Sequence, residues 1–132
     1  MSRTFGTAPA LDDIEAIAAA ALHRMPEPFA DHLKGLVLVV EEFPSEGMLD
    51  DLDIQDPYEL TGLYTGRPAE LEAMTGDMPP MIHLFRRPIL DEWAETGVGL
   101  ETLVTHILVH EAGHHFGLSD DDMEWLEEQL RA

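Results

Sequence analysis

The sequence contains no cysteine. That excludes disulfide bridges, thiolate metal sites and a cysteine nucleophile, so any metal must be held by histidines and carboxylates. Cations are scarce as well: 7 Lys and Arg stand against 27 Asp and Glu, a formal net charge of −20. A surface of that sign repels nucleic-acid phosphates and anionic lipid and favours divalent metals and basic peptides, so neither nucleic acid nor membrane is an expected partner. Its plainest role is to keep a soluble protein dispersed. No apolar run approaches the roughly 20 residues of a membrane span. The N-terminal stretch does not read as a secretory leader, because Arg3 is its one early basic residue and Asp12, Asp13 and Glu15 interrupt the Ala-rich run. The expected location is therefore cytoplasmic.

What is present suits one globular domain spanning 1–132, since 132 residues with 45% apolar content can bury a single continuous core. Leu11, Ile14, Ile17, Ala18, Ala21 and Leu22 recur at helical spacing and predict a helix over 9–24, closed by Pro26 and Pro28. Another turn or two of helix is expected over 29–34, ended by Gly35. The short β-branched run 36–40 predicts a buried strand, stopped by Pro44. The acidic stretch 45–57 predicts loop with a short helix, 59–66 a strand bent at its glycines, and 67–80 an exposed connection. Residues 81–86 form a third strand candidate. Pro88 is expected to begin a short helix holding Trp93. A strong helix follows from Leu100 to Gly117, and Ser119 caps a last one with Trp125, Leu126 and Leu130 facing inward.

The chemistry concentrates in His110-Glu111-Ala112-Gly113-His114-His115-Phe116-Gly117-Leu118-Ser119-Asp120, which spells H-E-x-x-H-x-x-G-x-x-D. Histidines four apart sit one turn above each other on a helix, so both imidazoles can reach one ion about 2 Å away. Glu111, offset by about 100° from His110, can meet a water at that ion without ligating it. Zinc needs a third protein ligand and one open position for chemistry. Gly117 tolerates the left-handed conformation that ends helices, which lets the chain turn back and bring Asp120 toward the ion. In shuffled chains of this composition the short H-E-x-x-H arises about once in twenty-five, the extended pattern about once in a few thousand, so the extended pattern carries the weight. Helix phase agrees: Leu100, Leu103, Val104, Ile107 and Leu108 form one stripe, and Glu111 projects near its middle with His110 and His114 on its flank. A buried carboxylate needs a compensating cation, which a zinc ion would supply.

This pattern resembles that of zincin metallopeptidases. It is most similar to a family of small, cysteine-free bacterial zincin-like peptidases, whose members carry strands like Leu60-Thr61-Gly62-Leu63-Tyr64-Thr65-Gly66 and Pro80-Met81-Ile82-His83-Leu84-Phe85-Arg86, then a metal helix ending His114-His115-Phe116-Gly117-Leu118-Ser119-Asp120. The resemblance covers 60–130. It implies an α+β, single-domain, minimal zincin-like fold, a small mixed β-sheet packed with helices, with the metal site on the penultimate helix. It implies one zinc ion on His110, His114 and Asp120, Glu111 as general base, and a peptide or unfolded-protein substrate, for which the acidic surface favours a basic one. Snapalysin-type proteases share the extended motif and are more distant: they are secreted metzincins, and Met123 lies too close to Asp120 to serve as their Met-turn. By analogy with zincins, 81–86 is the edge strand beside which a peptide would lie, and Tyr64 is a candidate oxyanion donor.

Each candidate also has a plainer role. His110, Glu111 and His114 could form a polar patch on a surface helix. Ser119-Asp120-Asp121-Asp122 has the composition of a capped helix start, so Asp120 could serve the cap alone, with Asp121 or Asp122 as ligand instead. His115, next to a ligand but pointing elsewhere, suits the core or a place behind the ligands better than ligation. His106, one turn before His110, could line the cleft or support that ligand, and more plainly is an incidental, partly buried histidine; His83 could contact substrate but more simply has a structural place in its strand; the plainer role of Tyr64 is packing. Arg86 and Arg87 suit neutralising nearby carboxylates. Three functions are compatible with this sequence: a zinc peptidase, a non-catalytic protein in which zinc ties the last two helices, and a protein-interaction module using its acidic face.

Overall fold

The computed structural model describes residues 7–27, 29–33, 35–66 and 79–131, with the side chains of 31, 32, 114–116 and 131 outside that description. Two of the expected segments are affected: most of the 67–80 connection lies outside the described residues, as does Pro28. The described chain is α+β. Helix α1 (Leu11–His23) follows Ala10, whose N–H is taken by the Asp13 carboxylate at 2.7 Å, and it buries Ile14, Ala18 and Ala21. A one-turn helix α2 (Phe29–His32) leads to Gly35, which adopts φ +87°, and then to strand β1 (Val37–Glu41). Ser45 caps α3 (Glu46–Asp51) by accepting the Met48 N–H at 3.2 Å. A 3-10 turn (Pro57–Glu59) precedes β2 (Gly62–Thr65), so the expected 59–66 strand is half that length.

Strand β3 (Met81–Phe85) runs directly into α4 (Arg86–Thr96). That helix starts two residues before Pro88, which occupies its first turn, where a missing N–H leaves no helical bond unmade. Helix α5 (Leu100–Phe116) and helix α6 (Asp120–Arg131) complete the described chain. Among the described residues no helix is long and apolar enough to cross a membrane.

The sheet is mixed, in the order β1-β3-β2. Strands β1 and β3 are parallel, Val37 opposite Met81 and Glu41 opposite Phe85, while β2 and β3 are antiparallel, Gly62 opposite Leu84 and Thr65 opposite Met81. The expected edge strand 81–86 is therefore central, paired on both sides. Its near-continuous apolar sequence is the reason: Ile82, Leu84 and Phe85 are fully buried, the mark of a strand covered on both faces. The edge beside α5 falls to β2.

Helix α5 is the centre of the molecule, packed by α1, α4, α6, β2 and β3. Its burial is not the single stripe the sequence suggests. Leu103, Val104, Thr105, Ile107, Leu108 and Val109 are all buried, because neighbours surround the helix on most sides. Helix α6 buries Met123, Leu126, Glu127 and Leu130, spaced three, four and seven apart, while Trp125 is 49% exposed. Trp125 was expected inside, but it projects about 200° around the helix from Met123 and so faces away from α5.

Candidate metal and catalytic site

Helix α5 is continuous through the motif, so the backbones of His110 and His114 lie one turn apart on one face. It ends at Gly117, whose φ of +69° and ψ of 35° are the left-handed turn that its position predicts. The Leu118 N–H returns to the Gly113 carbonyl at 3.0 Å, closing the helix end. Ser119 then caps α6: its hydroxyl accepts the Asp122 N–H at 3.2 Å and its carbonyl the Met123 N–H at 3.0 Å. Asp120 is thereby the first residue of α6, and it is exposed. Among the described residues no three His, Asp or Glu side chains converge at metal-holding distance, and the side chain of His114, the motif's second imidazole, lies outside them.

Glu111 and His110 are half-buried. Glu111 Oε1 accepts the main-chain N–H of Tyr64 at 2.8 Å. Tyr64 stands opposite Ile82 in an antiparallel pair, and the neighbouring Thr61 carbonyl bonds the Phe85 N–H, so the inner groups of β2 belong to odd positions and the N–H of Tyr64 points away from β3. Gly62 makes this approach feasible. A Cβ there would meet Ile107 Cγ2 at 2.7 Å and Glu111 Cγ at 3.4 Å, so only a residue without a side chain lets β2 lie on this turn of α5.

A second glycine within the motif does the same for α6. A Cβ on Gly113 would stand 2.6 Å from Met123 Cε and 2.8 Å from its Sδ. The thioether of Met123 lies against Gly113, between the two histidine positions in sequence, so α6 approaches α5 closely beside the motif. The motif's spacing gives no hint of that packing, since Gly113 occupies one of its unspecified positions.

His106 lies one turn before His110, with ring centroids 4.4 Å apart and planes tilted by 51°. Its Nδ1 stands 3.0 and 3.1 Å from the two carboxylate oxygens of Glu127, so with the carboxylate accepting, Nδ1 carries the hydrogen. Glu127 is buried on α6 and did not figure among the sequence candidates. The pair ties the two helices beside His110.

His83 is 7% exposed and spans the sheet, its Nδ1 facing Glu41 at 3.3 Å and its Nε2 facing Thr65 Oγ1 at 3.2 Å. It pairs with Leu63, whereas Gly62, the next residue, faces α5, so His83 belongs to the sheet's other face. The Tyr64 side chain packs half-buried on the core. Arg86 Nε donates to the Pro9 carbonyl and Nη1 to Glu42 at 2.9 Å, and the Arg87 guanidinium lies 5.8 Å from the Phe43 ring centroid.

None of the curated proteins matches the chain. The model of the zincin-like metallopeptidase family does match, over residues 33–130, which takes in the three described strands, the helix that carries the motif and nearly all of the helix that begins at Asp120, and the chain belongs to that family.

Proposed function

We propose that this protein hydrolyses peptide bonds as a zinc-dependent peptidase, with His110, His114 and Asp120 holding one ion, Glu111 as general base, and the 132 residues forming one catalytic domain. The observation that carries this reading is the Glu111 carboxylate, placed on the histidine-bearing helix and held by the Tyr64 N–H on the side of β2 away from β3. A fixed carboxylate in that position suits proton transfer better than it suits packing.

The donor set fits zinc. Two histidines four residues apart on α5 and an aspartate that follows the Gly117 turn would leave a coordination position for chemistry, as hydrolytic zinc sites require. Zinc held there supplies a Lewis acid that polarises a carbonyl and makes water nucleophilic near neutral pH. Glu111 accepts the proton that the attacking water gives up and delivers it to the departing amine. The Tyr64 N–H, bonded to one carboxylate oxygen, fixes the rotation of that side chain during both transfers. His106, tied to Glu127, packs against His110 and restricts its ring. An extended substrate would lie along β2, the edge strand beside α5. The net charge of −20 favours basic peptides.

Hydrolysis of a quenched peptide library, run with zinc and with a chelator, tests this reading alongside Glu111→Gln. We expect zinc-dependent turnover in the wild type, lost by at least about a hundredfold in Glu111→Gln with zinc binding retained. Equal turnover in both proteins removes Glu111 as the base. Tight zinc binding without turnover in either leaves a structural ion joining α5 and α6.

A further inference from the structure

We propose that the groove between α3 and the 3-10 turn is a second binding site, one that takes a short basic peptide segment presenting a single bulky apolar side chain. The groove has a volume of about 640 Å³ and a floor formed by Phe43, Leu49, Ile54 and Tyr58. That volume falls within the roughly 300–1,000 Å³ of sites that enclose small ligands, ample for one large side chain.

Its walls are held independently of any ligand. The Phe43 and Tyr58 rings meet edge to face, with centroids 5.3 Å apart and planes at 89°. Asp56 fixes one wall by accepting the Tyr58 N–H at 3.0 Å, and Ser45 fixes the other by capping α3. Tyr58 is nonetheless 41% exposed, so apolar area lies open to solvent on a preformed floor.

Charge selects the occupant. From Glu46 to Gly66 the sequence has six acidic residues and no Lys, Arg or His, while Glu42 just before them is paired with Arg86. Two of these acids, Glu46 and Asp50, line the groove itself. The face of Phe43 already receives the Arg87 guanidinium at 5.8 Å, so the floor needs an apolar group, and incoming cations meet the carboxylates at the rim. An acidic peptide or a polyphosphate would meet repulsion on the same rim. The groove lies at the end of the sheet where β1 and β3 finish and β2 begins. Its chemistry uses no residue of the zinc motif, so the inference stands whether or not the protein turns over peptides.

Fluorescence anisotropy of labelled peptides, with chelator present, tests it. The probes are Lys-Lys-Trp-Lys-Lys, Lys-Lys-Ser-Lys-Lys and Glu-Glu-Trp-Glu-Glu. We expect the first to bind at least about tenfold more tightly than either other, since both apolar and charged contacts are required. Tyr58→Ser should weaken that peptide about tenfold. Glu46→Lys/Asp50→Lys should weaken it more than Glu124→Lys/Glu128→Lys, an equal charge change on the exposed face of α6. Equal binding of the Trp and Ser peptides, or equal losses in the two double variants, would reduce the effect to general attraction by an acidic protein and overturn the proposal. The peptide comparison needs only the wild-type chain, so misfolding of a variant cannot decide the outcome.

Discussion

The main-chain N–H of Tyr64 donates to Oε1 of Glu111 at 2.8 Å across 47 residues of sequence. This bond joins the edge of the sheet to the helix that carries the motif, and it makes the position of the candidate base a property of strand β2. Carboxylate hydrogen bonds of this kind are worth about 1.5–3 kcal/mol when one partner is removed.

Tyr64→Pro isolates that bond. Proline lacks the N–H, and because this N–H points away from β3 the sheet ladder survives, as edge-strand prolines generally allow. Tyr64→Ala serves as the comparison, since it removes the ring and keeps the amide. We expect kcat to fall about ten- to a hundredfold more in Tyr64→Pro than in Tyr64→Ala, with KM shifting less than about threefold, because orientation of the base and not substrate binding is lost. Steady-state kinetics on one peptide decides it. Equal kcat values in the two variants would show that the bond does not orient the base.

Gly62→Ala probes the other half of the same contact. The added Cβ would stand 2.7 Å from Ile107 Cγ2, so strand and helix must separate or Ile107 must leave its rotamer. A loss of about 1–3 kcal/mol is expected in urea denaturation, as for other overpacked sites. Ile107→Ala, which removes the obstructing methyl, should cost about 2–5 kcal/mol alone. The double variant should then be at least about 1 kcal/mol more stable than the sum of the single losses predicts, the sign of a shared contact. Strict additivity would place the two residues out of contact.

Helix spacing made much of this molecule legible. The apolar recurrences in α1 and α5, the left-handed turn at Gly117 and the cap at Ser119 all follow from local rules, and the structure has them. What the sequence could not carry is pairing between distant segments. Analogy places strand 81–86 at the edge, whereas its order in the sheet depends on partners 20 and 44 residues away, Leu63↔His83 to one side and Val37↔Met81 to the other. Glu111 projected to the middle of a buried stripe, yet it is half-buried, since burial depends on how many neighbours surround α5. Trp125 looked like core by its chemistry, but helix phase around Met123 turned it outward. Gly62 and Gly113 read as ordinary glycines until the helices they accommodate are in place.

The His106–Glu127 pair should contribute to stability independently of metal. Because His106 is 49% exposed, solvent screens the interaction, and a double-mutant cycle with His106→Ala and Glu127→Ala should give a coupling of about 0.5–1 kcal/mol by chelator-treated thermal unfolding. Zero coupling would mean that α5 and α6 are tied by their apolar contacts alone.

The approach of α6 to α5 gives the most direct test of whether Asp120 is brought to an ion on α5. Zinc that binds the native chain and not the unfolded one raises the melting temperature by mass action. In the zinc reading, that rise requires Asp120 to reach an ion on α5, and Met123, three residues further into α6, rests against Gly113. Gly113→Ala would put a methyl 2.6 Å from Met123 Cε, so the thioether must take another rotamer within a buried contact or α6 must shift, while His110, His114 and Asp120 stay intact. We expect the zinc-induced shift in melting temperature to shrink by at least about half, since zinc affinity falls with the loss of a positioned ligand. Gly113→Ala/Met123→Ala should recover the shift, even though truncating Met123 lowers the metal-free melting temperature through a loss of about 2–5 kcal/mol. A full zinc shift in Gly113→Ala would show that Asp120 is not placed by this crossing. No shift in the wild type would remove the ion itself, and the two failures are told apart by the unmodified chain alone.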